Sequence, residues 1–97
     1  MAKKGYWVVC YKSVSNPATV SEYSKLAATA LQALGGRVIA GGKPAKIHEA
    51  GVDHSVVVVE FESLEKAIAA YDSDLYRVAL KVLDNGAQRD FRILEGR

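Results

Sequence analysis

Ser55-Val56-Val57-Val58-Val59-Glu60-Phe61 reads as a β-strand, because four consecutive β-branched residues stiffen an extended backbone and pack well on a pleated surface. Alternation puts Val57, Val59 and Phe61 on one face, and Val56 and Val58 on the other. The segment is therefore apolar on both sides. Tyr6-Trp7-Val8-Val9-Cys10-Tyr11-Lys12-Ser13-Val14 shares that character, with Trp7, Val9 and Tyr11 opposing Tyr6, Val8 and Cys10.

Between these strands, Asn16-Pro17 ends the first one, since proline removes a donor and favours a turn. Thr19 or Ser21 can cap the helix that follows, where Val20, Tyr23, Ala27, Ala30, Leu31 and Leu34 recur at spacings of three and four. Gly35-Gly36 closes this helix, because glycine accepts the left-handed C′ conformation. Arg37 to Ala40 forms a short second strand, interrupted by Gly41-Gly42-Lys43-Pro44, with Ala45 to Glu49 as a continuation beyond a bulge. Gly51-Val52-Asp53 reads as a turn.

Beyond Phe61, Ser63 starts a second helix with Lys66 at the place where a full capping box needs Glu or Gln. Leu64, Ala67, Ile68 and Tyr71 are expected on its inner face. Asp72-Ser73-Asp74 prefers caps to helix interiors, so a break is expected there. A second piece then turns Leu75, Val78, Ala79, Val82 and Leu83 inward, and Asp84-Asn85-Gly86 stops it. Arg89 to Leu94 completes the order βαββαβ, an α+β fold of ferredoxin-like type with a four-stranded antiparallel sheet, one domain over residues 1–97.

Two helices cover only one face of such a sheet. Five or six apolar side chains on the other face would each forgo about 1.5–3 kcal/mol if left wet. A patch of that size marks an interface, and a second copy is the simplest cover, so a homodimer joined through the sheet face is expected.

Composition excludes several classes. The 97 residues are 49% apolar and 25% charged, with a net charge of +2, which suits one globular domain. Only Lys3-Lys4 forms a basic pair, so no nucleic-acid partner is expected. The start, Met1-Ala-Lys-Lys-Gly, has no apolar signal-peptide core, and no apolar stretch approaches the roughly 20 residues of a membrane span. A cytoplasmic location without membrane contact is the expectation. Cys10 is the single cysteine, and neither His48 nor His54 has a partner at metal-ligand spacing, so neither metal nor cofactor is expected. Gly41-Gly42 lacks the spacing and following helix of a phosphate loop.

The candidate site residues come with ordinary alternatives. Tyr71 and Tyr76 flank the helix break and could donate to a substrate oxygen, or could be core rings with hydroxyls satisfied at the edge. Asp72 could accept a proton, or simply cap a helix. His54 could act as a base or ligand, or be a surface residue before a strand. Arg37 could present its fork to a carboxylate, or pair across the dimer with Glu60 or Asp90. Glu60 interrupts an apolar face and is expected to be paired, and Cys10 to be buried and inert.

Several strings resemble the bacterial domain-of-unknown-function family 1330. They are Gly5-Tyr6-Trp7-Val8-Val9, Gly35-Gly36-Arg37, Val57-Val58-Val59-Glu60-Phe61-Glu62-Ser63, Ala70-Tyr71-Asp72-Ser73 with Tyr76, and the ending with Asp90 and Leu94-Glu95-Gly96. The resemblance implies the dimeric α/β-barrel superfamily, which contains cofactor-free monooxygenases, haem-degrading enzymes, isomerases and ligand-binding modules. Fold analogy alone does not choose among these. Relatives commonly have a basic residue beside the glycine pair, another near Leu83, and an arginine before strand three; here Lys43 and Lys81 stand close to the first two places, and the third is His54-Ser55. If that arginine holds an anion in relatives, the site here is altered or absent. The leading expectation is a small organic molecule bound between helix two and the sheet, near Arg37, His54, Tyr71 and Tyr76. The alternatives are a cofactor-free monooxygenase or isomerase, and an interaction module with no pocket.

Overall fold

The computed structural model describes residues 3–97. Seven elements follow in order: β1 (Gly5–Val14), α1 (Pro17–Leu34), β2 (Arg37–Gly42), β3 (Val56–Phe61), α2 (Leu64–Tyr71), α3 (Asp74–Leu83) and β4 (Ala87–Glu95). The strands form one antiparallel sheet in the order β2-β3-β1-β4, so the two doubly apolar strands occupy its centre. This is the ferredoxin-like arrangement.

Local chemistry sets the helix ends. Asn16, rather than Thr19 or Ser21, caps α1: its side chain accepts from the Thr19 N–H at 3.2 Å, and Pro17 sits where its missing N–H costs nothing. Gly35 ends α1 at φ +81°, a conformation that a side chain resists. Ser63 caps α2. The expected break falls at Asp72-Ser73, where the Ser73 hydroxyl donates to the Ala70 carbonyl at 2.7 Å and accepts from the Tyr76 N–H at 3.2 Å. One serine thus closes α2 and opens α3.

Two expectations need correction. Ala45 to Glu49 does not continue β2; the chain from Lys43 to Ser55 contains no strand, and Glu49 takes a positive φ of 52°. Ile68, Leu75 and Val78 are exposed, while Ala67, Ala70, Tyr76, Ala79 and Leu83 are buried. The reason is the turn at Ser73. It rotates α3 so that Tyr76, Ala79 and Leu83 form its inner stripe and pack toward α1, while α2 presses its alanines onto the sheet. Gly5 permits that approach, since a Cβ there would lie 2.5 Å from the Ser63 carbonyl oxygen and 2.9 Å from the Ala67 Cβ.

The core centres on Trp7, 2% exposed, whose ring meets Phe61, Tyr76 and Phe91 at centroid distances of 4.9, 4.9 and 5.0 Å. Its indole N–H donates to the Ala67 carbonyl at 2.8 Å, so the buried polar atom is satisfied.

Register defines the opposite face. Tyr6 stands between Glu60 and Leu94, Val8 between Val58 and Arg92, and Cys10 between Val56 and Asp90. Among the described residues no helix covers this face. An apolar strip of Val8, Cys10, Val56 and Val58, all half-buried, is flanked by the ion pairs Arg37–Glu60 and Arg92–Asp90, each at 3.0 Å. Cys10 is therefore half-buried on an open face, not enclosed. The molecule is a two-layer slab, 38 × 34 × 15 Å.

Candidate functional site

The helical layer does not sit evenly. α2 lies directly on β1, β3 and β4, whereas α1 packs chiefly against α3. The space under α1 is a cavity of about 260 Å³. Its floor is Trp7, Val9, Val57 and Val59, its roof Ala27 and Leu31, and at one end stand Tyr11, Tyr23, Tyr76 and Arg89. Small residues at Ala27 and Ala28 leave the room that larger ones would fill.

Apart from Ser24, its polar groups form one cluster. The Arg89 Nη1 donates to the Tyr23 hydroxyl at 2.8 Å, and Nη2 to the Tyr76 hydroxyl at 3.4 Å. The Tyr23 and Tyr76 hydroxyls also bond to one another. The guanidinium carbon lies 4.9, 5.3 and 5.6 Å from the ring centres of Tyr23, Phe91 and Tyr11, within cation–π range. Burial pushes Tyr11, Tyr23 and Tyr76 above the usual tyrosine range, and it outweighs the opposing pull of Arg89 at each. All three hydroxyls are therefore neutral near pH 7 while Arg89 is cationic.

A wider cleft of about 480 Å³ adjoins the cavity, the two sharing Tyr11, Ser24 and Val57. Lys12, Lys43, Asp53 and His54 line it. The Lys43 ammonium donates to the Asp53 carbonyl oxygen at 3.2 Å and lies 3.9 Å from its carboxylate. The Nδ1 of His54 is buried without a partner among the described residues.

The four candidates from the sequence do not share one chamber. Tyr76 lines the cavity, and His54 lines the outer cleft. Tyr71 packs behind, 4.9 Å from Phe91 and 5.5 Å from Tyr76, outside the lining. Arg37 lies on the opposite sheet face, bonded within its own chain to Glu60, which also accepts from the Tyr6 hydroxyl at 3.1 Å. Asp72 is exposed at the helix break, 3.9 Å from Arg77. Among the lining residues α2 contributes none and α3 only Tyr76, so the space opens beneath α1 rather than between helix two and the sheet. No three His, Cys, Asp or Glu side chains converge as a metal site among the described residues, and no helix there is long and apolar enough to cross a membrane.

The pattern of the family described as "Domain of unknown function (DUF1330)" matches residues 4–97, almost the whole chain. The chain belongs to the DUF1330 family. A comparison of this DUF1330 sequence with curated proteins finds no match.

Solved structures share the fold. A protein of unknown function from Rhodopseudomonas palustris superposes with a TM-score of 0.71 at 14% identity, covering 100% of this chain and 85% of that one. A dimeric ferredoxin-like protein of unknown function from Thermobifida fusca gives 0.59 at 17% identity, covering 98% and 92%. A protein from Nitrosomonas europaea, provisionally named an antibiotic biosynthesis monooxygenase, gives 0.63 at 10% identity, covering 99% and 92%. At such identities the likeness establishes the DUF1330 fold and not its chemistry.

Tyr11, Tyr23 and Arg89 are the residues of this cluster that the sequence did not single out as site residues. Tyr23 reads as one more core position on α1. Arg89 enters the sequence reading only as the first residue of the last strand. The available signal was alternation, which places Arg89 on the same face as Phe91 and Ile93.

Proposed function

We propose that this DUF1330 protein is a homodimer that binds a small organic molecule in the cavity beneath α1. The observation that carries the binding site is the cavity itself: apolar walls, aromatic rings and one convergent polar cluster, the usual make-up of a ligand pocket. Size narrows the ligand. An apolar cavity of about 150 Å³ already takes benzene, so one of about 260 Å³ suits a single substituted ring.

The dimer is supported by exposed area. The chain exposes 6608 Å², whereas a compact monomer of 97 residues exposes about 5,400 Å². The open sheet face and the largely exposed, strand-free segment from Lys43 to Ser55 both contribute to this excess. A standard interface covers about 800 Å² per partner.

The tyrosine hydroxyls favour binding over cofactor-free oxygenase or isomerase chemistry. Held protonated by burial, they can donate to a bound oxygen but are poor proton acceptors near neutrality.

A thermal-melt screen against aromatic acids, phenols, quinones and haemin tests the reading. A ligand at one hundred times its dissociation constant adds about 2.7 kcal/mol, and each kcal/mol moves the midpoint by about 4–8 °C in a domain this size. We expect a hit that Ala27→Leu abolishes by filling the space. A flat panel, or a hit unchanged by that substitution, would overturn the site.

A further inference from the structure

We infer that the molecule held under α1 is an aromatic carboxylate whose charge pairs with Arg89. The inference rests on the cavity being a ligand site and specifies what enters it.

Arg89 differs from the other arginines, of which Arg97 is exposed to water and three more are paired. Arg37, Arg77 and Arg92 each face a carboxylate, at 3.0, 3.9 and 3.0 Å. Arg89 is half-buried in an apolar chamber, and no carboxylate pairs with it among the described residues. A guanidinium has five N–H donors. Two of those in Arg89 go to neutral hydroxyls, one of them at a long 3.4 Å. A desolvated cation without a counter-charge is costly, and an arriving anion removes that cost.

Shape and field agree with a planar acid. The fork of an arginine matches the two oxygens of a carboxylate. Tyr11, Tyr23, Trp7 and Phe91 present rings to whatever body carries the acid. The adjoining cleft adds Lys12 and Lys43, and its one acid, Asp53, already faces Lys43. Such a cleft draws anions inward.

Titration calorimetry with benzoate and its neutral isostere benzamide separates charge from shape. We expect benzoate to bind the wild-type protein at least about tenfold more tightly, the scale of one charge-assisted bond. Arg89→Gln should bring the two ligands to parity, with the larger loss falling on benzoate. Arg89→Lys should keep part of the preference, retaining charge without the fork, and it serves as the variant if the glutamine protein does not fold. Equal binding of both ligands to wild type, or benzoate binding indifferent to Arg89, would overturn the anion inference and leave the cavity standing. Binding of neither ligand would overturn the inference, and no response of the melt screen to any ring compound would remove the cavity reading as well.

Discussion

At Arg89, one residue gathers rings from β1, α1 and β4 and hydroxyls from α1 and α3. Its partner Tyr23 is 66 positions away, so strand register and helix docking must both be known before the cluster becomes visible. Tyr76, by contrast, was legible as a candidate because it adjoins a helix break that composition announces. For Arg37 the sequence offered Glu60 or Asp90 across a dimer, whereas the β2–β3 register sets it beside Glu60 of its own chain. The tyrosines carry a pH prediction. Tyr11, Tyr23 and Tyr76 are raised in the folded state, first by burial, so between the unfolded value near 10 and the folded values the native state holds more protons. Their contribution is complete below pH about 10 and is lost as pH rises through the folded values. Urea denaturation at intervals from pH 9 to 11 should show falling stability in wild type and a shallower fall in Tyr23→Phe. Equal slopes would mean that Tyr23 ionises as freely in the fold as outside it.

Among the elements, β1 and β3 were the most legible, because residues apolar on both faces have no other stable place than the centre of a sheet. The inner faces of α2 and α3 were less so. Short helices crowded with apolar residues offer several stripes, and the angle set at Ser73 selects one. Ile68, Leu75 and Val78 lost that selection. Ser73 is accordingly the residue to test at this scale. Ser73→Ala removes the α3 cap and the bond to Ala70, and should cost about 1 kcal/mol, lowering the melting midpoint by about 4–8 °C. Ser73→Asp keeps an acceptor at the cap and should recover most of the loss. An unchanged midpoint in the alanine variant would show that packing of Tyr76 alone fixes the break.

For the whole molecule, a radius of gyration of 13.5 Å exceeds the roughly 12.5 Å of a compact domain with 97 residues. That is the proportion of a slab with one uncovered side. If a second copy supplies the cover, wild type should sediment at twice the chain mass. Val58→Lys, at the middle of the open face, should give the mass of one chain with its circular dichroism retained. A wild-type protein that sediments as a single chain would end the dimer proposal. The two-sided apolar pattern was readable in the sequence; the standing-off of α1 was not, because it depends on where Ala27 and Ala28 fall over the sheet.

That standing-off has an evolutionary side. Drift at Ala27 or Ala28 toward leucine or phenylalanine would fill empty space and, by the usual gain from closing a cavity, make the fold sturdier. A lineage selected for durability alone would drift that way. The alanines at these two positions amount to durability forgone, and a library randomised there and sorted only for heat resistance should return larger side chains, at the expense of whatever the chamber holds.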